Sequence, residues 1–307
     1  MPSDNAIETF GLTKVFRSLW RRSEVRALQD VTLQVARGTT FGLLGPNGAG
    51  KTTFVKLVLS CTHPTEGGAR VFGRDVWETG ARRPVGYLPE NHRFPTYMTG
   101  AGMLDFYAAL SGMEARARKK RIPELLELVD LAKWGGVRLG KYSKGMLQRI
   151  GLAQALMHRP KLMILDEPSD GVDPVGRRMI REILRALEEQ GVTIFLNSHL
   201  LAEVELFCRE VAILHRGKVA LIGKVKELTA GKGYRLTATG VAEQLESELR
   251  EKAMAAASKD GLLEFQFADR ELLNQAIDAL RAGAADIESI APTTSTLEEV
   301  FFRTVQS

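Results

Sequence analysis

Little in this chain points to cross-links, to a membrane span or to nucleic acid. Only two cysteines, Cys61 and Cys208, occur in 307 residues, and neither sits in metal-ligand spacing. That rules out a disulfide framework or a thiolate metal site and fits a reducing compartment. No apolar run approaches the roughly 18–20 residues needed to cross a bilayer. The opening Met1-Pro-Ser-Asp-Asn-Ala-Ile-Glu8 has neither the basic region nor the apolar core of a secretory signal. Aromatic residues make up 7% of the chain. None interleaves the basic run Arg116–Arg121, which therefore reads as a solvated helix face rather than a nucleic-acid patch. What is present describes a globular protein with a sizeable core: 44% apolar and 26% charged residues. The net charge of +5 suits an anionic ligand or membrane surface without demanding nucleic acid. The length permits one large domain and a small one.

Residues 6–44 read as an antiparallel β opening, with strands at Ala6–Phe10 and Leu28–Val35 and a basic loop, Arg17–Arg26, inserted between them. Helical spacing of apolar residues runs from about Met98 to Leu139, in Met103–Leu110 and Ile122–Val129. Strands then alternate with helices: Lys161–Leu165, Arg177–Glu189, Thr193–Leu196, Leu200–Phe207 and Val211–Leu214. That alternation predicts a parallel α/β sheet. Beyond Lys226 the pattern becomes a small α+β unit, with strands at Tyr234–Thr239, Leu263–Phe267 and Ile287–Ile290 and a last helix from Leu297. Gly231-Lys-Gly233 is the expected hinge.

The strongest signal is Gly45-Pro-Asn-Gly-Ala-Gly-Lys-Thr52, which lies between the apolar run Thr40–Leu44 and a helix from Thr53. A nucleoside triphosphate needs several backbone N–H groups aimed at one point, and only a glycine-rich turn wraps that closely. Gly45, Pro46, Asn47, Gly48, Ala49, Gly50 and Thr53 are thus the expected cradle. Lys51 reaches the β- and γ-phosphates, and the Thr52 hydroxyl is placed for Mg²⁺. The second signal is Leu162-Met-Ile-Leu-Asp-Glu-Pro168, an apolar strand that delivers two carboxylates to its C-terminal end, where open α/β sheets bind ligands. Asp166 is expected to hold Mg²⁺ and Glu167 to polarise a water for attack on the γ-phosphate. Tyr142-Ser-Lys-Gly-Met146 opens a long helix and makes either a second anion cradle or a plain serine cap.

Phosphate loop, Ser-x-Gly helix start, Asp-Glu, Ser169-Asp-Gly-Val-Asp-Pro174 and Asn197-Ser-His199 occur in a fixed order. Together they resemble the nucleotide-binding subunit of an ATP-binding cassette (ABC) transporter, over roughly residues 6–225. The resemblance implies a P-loop NTPase fold of ABC type: an antiparallel β subdomain, a mixed α/β core, a helical subdomain at about 91–142, and a small α+β extension over 226–307. It makes Ser143, Lys144 and Gly145 a signature that meets the γ-phosphate on a second subunit, and Asp173 a residue that communicates across that dimer. It makes His199 the switch histidine and Phe16 the ring that stacks on adenine, with Trp20 as a weaker candidate. Glu90 stands where the family usually has glutamine, as a catalytic or Mg²⁺-binding group. The signature departs from Leu-Ser-Gly-Gly-Gln at Lys144 and Met146, and an outward-pointing Lys144 is the simplest expectation.

The implied cofactors are ATP and Mg²⁺. The implied partners are a second copy or a paralogue, in a head-to-tail ATP sandwich, and a polytopic membrane permease at the cytoplasmic face of the inner (plasma) membrane. The signature, Tyr87-Leu-Pro-Glu90 and the tail Leu297-Glu-Glu-Val-Phe resemble the exporter subfamily with separate permeases. Pro95–Met98 and Met103–Leu110 are the expected permease contact. A chromosome-organising ATPase would carry a long coiled-coil insertion, a ribosomal translation factor would have two cassettes, and a kinase or GTPase would lack the signature and His199.

Overall fold

The computed structural model describes residues 4–17, 24–259 and 261–306. Trp20, with the basic cluster around it, lies outside the described residues. One compact unit runs to Val225 and includes the residues from Phe301 onward, while Lys226–Val300 form a second.

In chain order the first unit opens with β1 (Asn5–Arg17), β2 (Glu24–Ala36), β3 (Thr40–Leu44), α1 (Lys51–Val58), β4 (Glu66–Val71), β5 (Arg74–Asp75) and β6 (Val85–Leu88). Helices α2 (Gly100–Leu110), α3 (Ala115–Leu128) and α4 (Lys144–Ala155) come next. Then come β7 (Leu162–Asp166), α5 (Pro174–Glu189), β8 (Thr193–Asn197), α6 (Leu201–Phe207), β9 (Glu210–His215) and β10 (Lys218–Lys224), and the short α7 (Val225–Leu228) begins at the last residue of this unit and runs into the second.

Two sheets result. The antiparallel one has the order β2-β1-β4-β5, and the six-stranded one has the order β10-β9-β3-β8-β7-β6. In the second, every neighbouring pair from β9 to β6 is parallel, and only β10 runs against its neighbour. All residues of β3, β7 and β8 are buried, as expected of parallel strands covered on both faces. The strand expected to close the antiparallel opening, β3, thus lies at the centre of the parallel sheet.

The hydrophobic core anchors the glycine loop after β3. Phe195 of β8 stacks on Phe41 of β3 at 5.8 Å and on Phe54 of α1 at 5.6 Å between centroids, and all three rings are buried. The trio holds the loop between a strand and a helix that share one aromatic clamp. Helix α5 starts with Asp173 as its cap, whose Oδ1 accepts from Gly176 N–H at 2.7 Å, and with Pro174 in its first turn. It buries Ile180, Ile183, Leu184 and Leu187, a stripe at helical spacing.

The second unit comprises β11 (Ala230–Thr239), α8 (Glu243–Lys252), β12 (Ala255–Lys259), β13 (Leu262–Phe267), α9 (Arg270–Ala282), β14 (Asp286–Thr294) and the start of α10 (Leu297–Gln306). Its sheet has the order β12-β13-β11-β14, and its core gathers Leu236, Phe265, Phe267, Leu273 and Leu280.

Several local expectations are corrected. Arg17 and Glu24–Arg26, expected in a loop, are strand residues, and Arg17 pairs with Glu24. Gly231 and Gly233 form no hinge but sit inside β11. A Cβ on Gly231 would strike the Thr293 carbonyl oxygen and one on Gly233 that of Phe267, so these glycines permit close approach of neighbouring strands. The sequence pattern also predicts a helix near Ala242–Ala256; helix α8 ends at Lys252, and Ala255 and Ala256 are strand residues in β12.

The aromatic clamp predicts that Phe195→Ala destabilises the protein by about 3–5 kcal/mol. Phe302→Ala, at a half-exposed ring, should change stability by no more than about 0.5 kcal/mol. Urea unfolding of both variants checks the contrast.

Candidate functional site

At the C-terminal ends of β3, β7 and β8 lies a cleft of about 450 Å³. Its wall includes Asn47, Gly48, Ala49, Gly50, Lys51, Thr52 and Thr53, and opposite them Glu90, Asp166, Glu167 and His199. Gly45 and Pro46 lie behind this wall, where their carbonyl oxygens accept from the Lys51 ammonium at 2.7 and 3.4 Å. Glycine is required twice by close approach: a Cβ at Gly45 would strike the Leu214 carbonyl oxygen, and one at Gly50 that of Ala27. Gly50 also has φ +109° and caps α1 without a side chain. The first N–H groups of α1 therefore have no side-chain acceptor at the cap, and they lie behind a loop whose Gly48 (φ +80°) borders open space.

Burial shapes the charges. Lys51 is 8% exposed, and its desolvation lowers its pKa although Glu167, Asp166 and Glu90 all favour the cation. Asp166 is 2% exposed. Desolvation, reinforced by Glu90 and Glu167, lifts its carboxyl to about 6 against the hydrogen bond from the Asn197 amide and the charge of Lys51. Tyr87 is pushed up to about 12, first by burial and then by Asp166.

Glu167 is held from several sides. Its N–H donates to the Asn197 carbonyl oxygen at 2.8 Å, and its own carbonyl oxygen accepts from Gln148 Nε2 at 3.3 Å. Its Oε2 faces His199 Nδ1 at 2.8 Å and accepts from Ser198 Oγ and His199 N–H, each at 3.3 Å. The residue has φ +52°, a left-handed backbone that a glutamate adopts only under constraint.

Other expected site residues are elsewhere in this chain. Phe16 does not line the cleft. Its ring is 44% exposed on β1 beside Lys14, and its strand partner is Val25, which does line it. Ser143 caps α4, its Oγ accepting from Met146 N–H at 3.2 Å, and Gly145 lies in the first turn. Lys144 does not point freely outward: its Nζ pairs with Asp170 Oδ2 at 2.8 Å, and this bond, the largest cause, lowers the Asp170 pKa. Asp173 caps α5.

Sequence reasoning gave no role of their own to four neighbours, two of them inside the Asn197-Ser-His199 motif. The Asn197 amide donates to the Asp166 carboxylate and its backbone carbonyl oxygen accepts from Glu167 N–H, and Ser198 and Gln148 hold Glu167. The cation Arg26 lines the cleft from β2. A polar residue ending an apolar strand was the available signal for Asn197, the same one that marks Asp166.

The residues fit a triphosphate and a magnesium ion. A buried ammonium and free helix N–H groups face the same space. The Thr52 hydroxyl and the Asp166 carboxylate are hard oxygen donors, and Asn197 Oδ1 is a buried acceptor with no protein partner. Among the described residues no cluster of three or more His, Cys, Asp or Glu could hold a metal alone. Mg²⁺ does not need one, since phosphates and water complete its shell.

Residues 28–170 match the family described as ABC transporter. An uncharacterized ABC transporter ATP-binding protein of Synechocystis sp. is 41% identical over 244 residues, spanning 78% of this chain and 69% of the relative. The daunorubicin resistance ATP-binding protein DrrA3 of Streptomyces coeruleorubidus is 32% identical over 315 residues, spanning 97% of this chain and 95% of the relative. A solved ATP binding subunit of an ABC transporter matches with a TM-score of 0.65 and 29% identity, over 73% of this chain and 91% of that one. A dimeric ATP-binding cassette bound to ADP and Pi shares the fold with a TM-score of 0.66 and 22% identity, over 71% and 98%.

The raised Asp166 carboxyl has a pH signature. The folded state holds its proton up to about 6, above the ordinary 3.8, so this group's contribution to stability falls as pH rises through that window. Asp166→Asn should stabilise the nucleotide-free protein at pH 8 by roughly 1–3 kcal/mol and lose most of that gain by pH 4. Thermal melts at both pH values check the sign.

Proposed function

The chain belongs to the ABC transporter family as an ATP-binding, ATP-hydrolysing subunit, and we propose that two such subunits close around two ATP molecules to drive a separate permease. The observation that carries this reading is the convergence of the Lys51 ammonium and the His199-held Glu167 carboxylate on one cleft.

In this reading the Gly45–Thr53 loop cradles the phosphates through its N–H groups, and Lys51 exchanges its two loop carbonyls for phosphate oxygens. Thr52 and Asp166, with Glu90 nearby, would hold Mg²⁺, which would supply positive charge to the phosphates. Glu167 takes a proton from the attacking water onto its carboxylate, and His199, whose Nδ1 already engages that carboxylate, orients it. Phe16 offers its exposed ring face to adenine.

The second subunit supplies Ser143 and Gly145. The Ser143 Oγ accepts within its own helix but keeps its proton to donate to the facing γ-phosphate. Lys144 would leave Asp170 for that phosphate, and Asp173 lies on the same closing surface. Closure excludes water, and hydrolysis reverses it. Among the described residues no helix is long and apolar enough to cross a membrane. The family role supports a position at the cytoplasmic face of the plasma membrane, and the permease contact in this reading lies around Tyr97, Phe106 and Leu110, which are exposed. Outward transport is supported by the likeness along nearly the whole chain to a relative named for daunorubicin resistance.

Glu167→Gln should lower ATP turnover by about 10²–10⁴-fold while nucleotide binding persists. Lys51→Ala should weaken binding itself. Steady-state hydrolysis and nucleotide titration separate the two, and near-normal turnover in Glu167→Gln would remove that residue from the role of base.

A further inference from the structure

The parallel strands also border a cleft at their other end. This cleft, of about 720 Å³, lies at the N-terminal ends of β3, β6, β7 and β8, on the side of the sheet away from the nucleotide cleft. Five cations line it: Arg37 before β3, Arg74 of β5, Arg83 before β6, and Arg159 and Lys161 before β7. No carboxylate does. Among the described residues the one ion pair made by these five is Arg159 to Glu124, at a distant 4.0 Å. All five are exposed.

The floor beneath them is rigid. Lys161 N–H donates to the Pro84 carbonyl oxygen at 2.8 Å, Thr193 N–H to that of Lys161 at 2.9 Å, and Gly38 N–H to Thr193 Oγ1 at 2.9 Å. Two lining residues hold a left-handed backbone without being glycine: Phe72 at φ +51° and Arg159 at φ +53°. Glycine or asparagine would be unstrained in such turns. The chain instead presents a ring, over which the Arg37 guanidinium sits at 5.1 Å, and a further guanidinium. Backbone strain maintained to place specific side chains around a concavity is a mark of binding sites.

We propose that this cleft binds an organic polyphosphate, a nucleotide-sized anion carrying two or more phosphate groups. Guanidinium forks match phosphate oxygens in paired hydrogen bonds. Unneutralised cations converging on one concavity favour a multiply charged ligand over a single carboxylate. Phe72, Pro84, Pro160 and Val192 supply apolar wall for the carrier. Phosphates of this kind come from a soluble molecule or from an anionic lipid headgroup.

The test is calorimetric titration of inorganic tripolyphosphate into the full chain, with excess ADP occupying the nucleotide cleft. The same titration is run on Arg74→Ala/Arg83→Ala, whose side chains are exposed and, among the described residues, make no ion pair. Flotation with vesicles containing cardiolipin, whose headgroup carries two phosphates, against phosphatidylcholine vesicles, reads the headgroup source. Expected is saturable binding that weakens steeply with salt and falls roughly tenfold for each arginine removed, with basal ATP hydrolysis and thermal stability unchanged. Tripolyphosphate binding lost in the variant identifies a soluble source. Vesicle binding lost in the variant, without tripolyphosphate binding, identifies the headgroup. Binding to neither probe, or binding equal in wild type and variant, overturns the proposal.

Discussion

A single buried ammonium sets the terms for the nucleotide cleft. Lys51 stands against three carboxylates, the buried Asp166 and Glu167 and the exposed Glu90. Burial costs the cation and the anions alike, and the balance is struck by geometry: Lys51 borrows the carbonyl oxygens of Gly45 and Pro46, while Asn197 steadies Asp166. Buried charges are tolerated only when paired and hydrogen-bonded. Here the pairing is partial, with the carboxylates along the wall outnumbering the cations Lys51 and Arg26, so an anionic polyphosphate enters favourably only together with a cation such as Mg²⁺.

The rest of the first unit can be understood as support for that arrangement. The aromatic clamp of Phe41, Phe195 and Phe54 joins the two strands and the helix on which the phosphate loop hangs. The backbone bond between Glu167 and Asn197 extends the ladder of β7 and β8 one residue past the sheet, so that carboxylate and amide advance together. The rigid elements end at the candidate groups: Glu167 follows β7 directly and His199 lies two residues past β8.

The parts legible in the sequence were those whose chemistry needs a contiguous string. A phosphate loop must be written in consecutive residues, and a buried strand ending in Asp166 and Glu167 announces itself by its apolar run. The parallel core and the C-terminal α+β unit emerged from the alternation of periodic segments. What stayed hidden depends on partners distant in the chain. Asn197 reaches the Asp166 carboxylate and the Glu167 backbone N–H only once β7 and β8 are paired. Strand β4, with Gly67 and Gly68 in it, and the two-residue β5 have no local strand signal. Ala255–Ala257 have helical propensity and become a strand because β13 offers an edge, a case of tertiary context overriding local preference. The left-handed backbone of Glu167 has no sequence signature, since glycine is the residue that turn would predict.

That last feature has a consequence for how this protein ages under selection. Position 167 holds a long anion in a backbone region that suits glycine, and position 166 buries another anion next to it. A population of variants sorted only by survival of heating would drift toward glycine at the first and an amide at the second. A population sorted by turnover would hold both carboxylates in place. The two pressures pull apart at adjacent residues, so the cleft records which of them the chain has answered to.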